Sequence, residues 1–171
     1  MSTHRYIISG FAGIGKSTAA YNLPGIVYDL ESSDYHWSFM HDGTKVLNPE
    51  WPMNYVKAII GLALETNDYK YRDLLYICIS AHREVLDVLD ELDIKYAVAF
   101  PSYDTKDEYI ERYISRGNSP EFIAKLRENY ETFIDDIRSH GKVEICLKKG
   151  EFLFDKLDKV SFERYLISEG M

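Results

Sequence analysis

The sequence predicts an α/β fold in which helices flank a parallel sheet. Three observations carry that prediction. Short β-like runs alternate with helical patterns along the chain. Most of the runs are apolar throughout rather than alternating, as strands buried on both faces are. A glycine-rich turn joins the first run directly to a helical pattern, which ties that strand to a following helix.

Five strands are expected, at residues 5–9, 26–29, 74–80, 96–100 and 143–147. Helical patterns fill the gaps. Residues 16–22 stop before Leu23-Pro24-Gly25, a clear breaker. Residues 51–65 carry Pro52 near the first turn, where proline is tolerated. Residues 84–92 gather Val85, Leu86, Val88 and Leu89 on one side, and residues 107–116 do the same with Tyr109, Ile110, Tyr113 and Ile114. Residues 120–138 form a long amphipathic pattern, with Ser119 before Pro120 as its N-cap. The last twenty residues also read as helical, with a weaker pattern.

A chain of 171 residues makes one domain, spanning 1–171. Its 46% hydrophobic content is enough for a packed core and argues against disorder. Twenty basic against 28 acidic residues give a net charge of −8, and no Lys/Arg run occurs. That counts against duplex nucleic acid or an anionic membrane as the main partner, though not against a small anion held by a few local cations. The apolar runs fall far short of the ~20 residues of a membrane span. Met1-Ser2-Thr3-His4-Arg5 has no signal-peptide layout, so a cytoplasmic protein is expected, as a monomer or homodimer. Cys78 and Cys146 are too far apart in sequence for a metal pattern and read as reduced core thiols.

One motif dominates. Gly10-Phe-Ala-Gly13-Ile14-Gly15-Lys16-Ser17-Thr18 matches G-x4-G-K-[ST] between a strand and a helix. The glycines let backbone N–H groups turn inward and approach phosphate oxygens. Lys16 is suited to the β- and γ-phosphates, Ser17 to Mg²⁺ and Thr18 to the α-phosphate. The N-K-x-D and D-x-x-G motifs usual in signalling GTPases do not occur.

The second expected strand ends in Asp29-Leu-Glu31. Extended backbone points both carboxylates the same way, towards the sheet edge where ligands bind in open α/β folds. The third ends Ile79-Ser80-Ala81-His82-Arg83 with no acidic residue, and Asp73 lies at its other end. His82 either hydrogen-bonds a substrate or caps the next helix. Arg112 and Arg116, four apart, share a helix face. An anion between them would relieve their repulsion, as would salt bridges such as Glu108–Arg112. Gly117-Asn118 then breaks the helix. Between the second and third strands lie Tyr35, Trp37, Phe39, Trp51, Tyr55, Tyr69 and Tyr71. These either sandwich a nucleobase, with Asn54, His36 and His41 reading its edges, or pack a helical pair onto the sheet.

Taken together, the G-x-x-G-x-G-K-[ST] loop, the D-x-E pair and the R-x-x-x-R followed by R-x-x-Y resemble the small P-loop kinase superfamily. That group includes the nucleoside monophosphate, shikimate and gluconate kinases. Residues 35–51 and 79–83 look more like the nucleotide-kinase-like proteins of phage and prophage genomes. The resemblance implies a three-layer α/β/α P-loop fold, strand order 2-3-1-4-5, an acceptor-binding segment at about 31–72 and a helical lid at about 104–130. It implies ATP on Gly10, Gly13, Ile14, Gly15, Lys16, Ser17 and Thr18 with help from Arg112, and Mg²⁺ on Ser17 and Asp29. Adenine would rest near the lid base and the loop after Leu147. Lys16, Asp29, Arg112 and Arg116 would act in catalysis. Glu31, Trp37, Arg83, Arg116 and Arg127 would hold a small nucleotide or metabolite acceptor. The leading expectation is a nucleoside monophosphate kinase. A kinase for a hydroxyl acceptor (a nucleoside, a small metabolite or a nucleic-acid 5′-end) and a non-catalytic nucleotide-binding regulator are the alternatives.

Overall fold

The computed structural model describes residues 5–64 and 68–157. The first strand, β1 (Tyr6–Gly10), leads into helix α1 (Lys16–Asn22), and β2 (Val27–Asp29) follows. A short helix α2 (Ser33–His36), strands β3 (Trp37–Phe39) and β4 (Lys45–Leu47), and helix α3 (Met53–Leu64) come next. Then β5 (Tyr76–Ile79), α4 (Arg83–Glu91) and β6 (Ala97–Pro101) precede the pair α5 (Lys106–Ser115) and α6 (Pro120–Arg138). The described part ends with β7 (Val143–Leu147) and α7 (Leu153–Lys156). Residue 65, the expected end of the third helix, and any helix beyond Leu157 lie outside the described residues.

Five strands form one parallel sheet in the order β2-β5-β1-β6-β7. The expected order 2-3-1-4-5 is therefore corrected to 2-5-1-6-7. The renumbering comes from an unexpected antiparallel pair, β3-β4, inserted between the second and third strands of the sheet. The sequence leads one to expect no strand there, only aromatics that sandwich a nucleobase or pack a helical pair onto the sheet. Each of its strands is only three residues long, too brief to show a period of two. Its turn is set by Gly43, at φ 83°, and by Asp42 Oδ1 accepting from Thr44 N at 2.9 Å.

β1 sits at the centre, where Ile7 lies opposite Ile77, and Ile8 opposite both Cys78 and Ala97. These residues are fully or almost fully buried, which accounts for the unbroken apolar runs. The edge strand β7 differs. Val143, Ile145 and Leu147 are buried but Cys146 is exposed, so only Cys78 is a core thiol. An edge strand with one covered face alternates, and Cys146 falls on the open side. Right-handed crossovers put α1 on one face of the sheet and α3, α4 and α6 on the other. Consistent with this, α1 packs on α7, and α3 packs on α4.

Among the described residues six tyrosines are wholly buried, and two of them spend their hydroxyls on backbone that shapes the sheet edge. Tyr55 donates to Leu30 O at 2.7 Å, and Tyr113 to Ala12 O at 2.7 Å. Phe11, Tyr109 and Tyr130 meet edge to face or tilted beneath the loop that follows β1. No helix among the described residues is long and apolar enough to cross a membrane.

Arg5 fastens the opposite end of β1. Its guanidinium donates to Leu62 O at 2.6 Å, in the last turn of α3, and to Tyr71 O at 2.6 Å. Two charge-assisted bonds, one to the Leu62 carbonyl and one to the Tyr71 carbonyl that also accepts from Leu74 N at 3.1 Å, contribute about 2 kcal/mol. Arg5→Met is expected to lower the melting temperature by about 4–8 °C. Circular dichroism melts check this, and an unchanged midpoint contradicts it.

Candidate functional site

The glycine loop after β1 is built from outside as much as from within. Gly13 has φ 84° and Gly15 φ 92°, left-handed conformations that side-chain-bearing residues rarely adopt. Space is equally restrictive. A Cβ at Gly13 would meet Tyr113 Cε1 at 2.7 Å, and one at Gly10 would meet Ile14 Cδ1 at 2.5 Å. Three long-range bonds fix the loop's carbonyls: Tyr113 Oη on Ala12 O, Arg112 Nη1 on Gly13 O at 3.0 Å, and Leu153 N on Ile14 O at 2.8 Å. Gly15 caps α1 without a side chain, and no acidic residue occupies the first turn.

Lys16 bends back over Gly10 and donates to its carbonyl at 3.1 Å. Burial pulls the ammonium below its ordinary pKa, while Asp29 across the cleft pulls it up. Burial likewise pushes the Asp29 carboxyl above its usual value, against the attraction of Lys16. The two groups face each other at the carboxyl edge of the sheet, in a cleft of about 880 Å³.

The cleft gathers Gly10, Gly13, Gly15, Lys16, Ser17, Thr18, Asp29, Glu31, Arg112 and Arg116 from the residues singled out in the sequence. Arg116 makes no side-chain hydrogen bond or ion pair among the described residues, yet its charge is felt by both Lys16 and Asp29. It is the open cation of the cleft wall.

Four of the expected site residues are not among those lining the cleft. Ile14 is fully buried, with its side chain under Gly10 and its N–H directed to Phe11 O at 3.4 Å. Trp37 stacks on His36 at 4.4 Å and carries Lys45 over its ring at 4.3 Å. Arg83 is exposed and turned to Asp136, at 3.2 Å, and Asp87, at 3.9 Å. Arg127 is exposed on α6, while its neighbour Leu126 lines the cleft.

Two further expectations change. Arg112 lines the cleft but is spent: it donates to Gly13 O, to Glu151 O at 3.0 Å and to Glu108 Oε1 at 2.8 Å. Its guanidinium lies between the rings of Tyr109, at 4.3 Å, and Phe152, at 3.9 Å. The Glu108 pair, one of the two ways of relieving Arg112 and Arg116, is thus the one formed. Tyr109 and Tyr113 anchor helix α5 in the core. The aromatic segment stacks on itself. His36 fills the space between Trp37 and Trp51, at 4.4 Å from each, and Asn54 Nδ2 is spent on Tyr35 O at 2.8 Å.

Ser80 and Phe152 line the cleft without having been assigned to it from sequence, and Glu108 is expected there only as a partner of Arg112. Ser80 ends β5 at the cleft floor, its N–H held by Tyr55 Oη at 3.1 Å and its carbonyl by Ser9 Oγ at 3.0 Å. Phe152 reaches Gly15 from the loop after β7, where no local pattern marks it. Glu108 accepts from Gly150 N at 3.0 Å as well as from Arg112, so it ties that loop to α5. His82, whose two readings were open, lines the cleft and gives the helix no side-chain cap.

No protein-family model matches the chain, and a search of curated proteins finds no match.

A carboxyl whose pKa is raised on folding costs stability once pH exceeds its unfolded value, and costs nothing when protonated in both states. Asp29→Asn is therefore expected to raise the melting temperature of the free protein at pH 7. The gain should fade as pH falls below about 4. Thermal melts between pH 3 and 7 check this, and a lower midpoint for the variant at pH 7 contradicts it.

Proposed function

We propose that this protein is an ATP-dependent phosphotransferase of the P-loop kinase type, acting on a small acceptor. The observation that carries the reading is Lys16, folded into a glycine cradle and facing Asp29 across an open cleft. An unpaired, half-buried ammonium beside inward-turned backbone suits a polyphosphate, which would take the Gly10 carbonyl's place as its partner. Ser17 and Thr18 are exposed in the same cleft. Phe152 is the flat apolar surface beside the loop, in the region expected for a nucleobase.

Mg²⁺ fits the donor set. The Ser17 hydroxyl and the Asp29 carboxylate are hard oxygen ligands, as Mg²⁺ prefers. Among the described residues no cluster of three or more His, Cys, Asp or Glu could hold a metal alone, so the phosphates would complete the shell. The ion would supply charge neutralisation on the phosphate oxygens.

In this reading an acceptor oxygen attacks the γ-phosphorus in line. The new P–O bond forms as the bond to the β-phosphate oxygen breaks, and ADP leaves. Lys16 follows the charge on the transferring group, and Arg116 adds the second mobile cation. Arg112 acts by holding the loop.

Between the acceptors weighed, the cleft favours a hydroxyl over a nucleoside monophosphate. Of the three arginines expected to hold an acceptor, Arg83 and Arg127 are not among the residues lining it, and Arg116 alone is. Glu31 and Glu111 line it, and carboxylates repel a dianion, while Asp136 is paired with Arg83. A hydroxyl also gives Asp29 a proton to take, which a phosphate acceptor does not.

The test is incubation with Mg-ATP and a pool of nucleosides, hexoses, hydroxy acids and nucleoside monophosphates, read by mass spectrometry. One hydroxyl compound should gain a phosphoryl group. Lys16→Ala should lower that product at least about 100-fold while the fold survives. ATP binding without any product contradicts the enzymatic reading and leaves a nucleotide-binding regulator.

A further inference from the structure

We propose that His82 is the acceptor-binding residue of this cleft, its Nε2 hydrogen-bonding an uncharged hydroxyl group of the acceptor. This rests on the phosphotransferase reading above and names the class of acceptor: a neutral hydroxyl compound, such as a nucleoside or polyol.

His82 stands where β5 passes into α4, beside the loop and the Asp29 edge. A polar side chain at such a position often caps the helix. Here only its backbone carbonyl does so, accepting from Val85 N and Leu86 N at 3.1 Å each. The ring is free for something else, and it is held in one orientation. Nδ1 pairs with Ser80 Oγ at 2.8 Å. Ser80 is itself fixed through its N–H by Tyr55 and through its carbonyl by Ser9. Trp51 and His36 press edge-on against the imidazole at 5.1 and 5.3 Å. Trp51 is tethered in turn through Nε1 to Glu84 Oε1 at 3.0 Å. Such a chain of supports fixes a side chain's rotamer, as sites that bind by geometry require.

Nε2 remains as the ring's open polar atom, with no partner among the described residues and no place among the buried unpaired atoms. The ring is close enough to feel the charge of Lys16. Burial holds its pKa below the ordinary value, so at pH 7 the imidazole is neutral. A neutral ring brings no charge of its own to attract a phosphate dianion. It can give or take one hydrogen bond with a hydroxyl. Its serine partner, rather than a carboxylate, leaves it a weak base, so proton removal stays with Asp29.

Two amide variants separate this role from a structural one. Glutamine can place its amide near the position of Nε2, whereas asparagine reaches only that of Nδ1. With the acceptor pool and Mg-ATP, His82→Ala and His82→Asn should lose about tenfold or more of product, and His82→Gln should recover most of it. All three should bind a fluorescent N-methylanthraniloyl ATP analogue as the wild type does. If Asn recovers product and Gln does not, the ring serves only the Ser80 bond and the proposal is overturned. Wild-type rates in His82→Ala, or product confined to the monophosphates, overturn it as well, while leaving the phosphotransferase reading intact. A wild-type protein that binds the analogue but phosphorylates nothing removes that reading and this one with it.

Discussion

Gly13 and Gly15 hold left-handed conformations with large rings against them, and that arrangement stands only because distant parts of the chain press on it. Tyr113 lies on Gly13 and bonds Ala12, Arg112 bonds Gly13, and Phe152 lies on Gly15. Those three residues come from α5 and from the loop after β7. The loop's shape is thus a tertiary property, kept by packing that spans some hundred residues of sequence. Arg112 couples the two supports, since it also bonds Glu151 and Glu108. A cradle held rigidly beforehand loses little freedom on meeting a ligand, which is the advantage of preorganisation.

The same clamp explains the division of labour among the cations. Arg112 is flat, delocalised and buried between two rings, so it serves as a bracket. Lys16 is a compact charge with a single weak tether, and Arg116 has none in the described residues. Both line the same cleft as Asp29 and Glu31.

The sheet was legible because its strands are buried on both faces, and burial writes itself into composition. The parallel segments were found to within one or two residues at their ends. The β3-β4 pair was not, for three residues cannot display a period. The glycine loop was legible because backbone geometry at Gly13 and Gly15, and the chemistry at Lys16 and Ser17, constrain residue type locally. Side-chain direction was not. Arg112, Arg116 and Arg127 look alike as letters, yet one is a bracket, one faces the cleft and one lies outside it. That choice is made by partners far away in sequence: Gly13, Glu151 and the ring of Phe152. Trp37 was misplaced for a similar reason, because the sandwich it was expected to form round a ligand is filled by His36, its own neighbour.

The central claim is that the Gly10–Thr18 cradle, through Lys16, holds a nucleotide's phosphates. The most direct measurement is the shift in melting temperature of the wild type and of Lys16→Ala on adding Mg-ATP. A ligand at a hundred times its dissociation constant stabilises a protein by about 2.7 kcal/mol, which is several degrees for a chain of this size. The account predicts that rise for the wild type and little or none for the variant. Equal shifts in both, or no shift in the wild type at millimolar Mg-ATP, would contradict it.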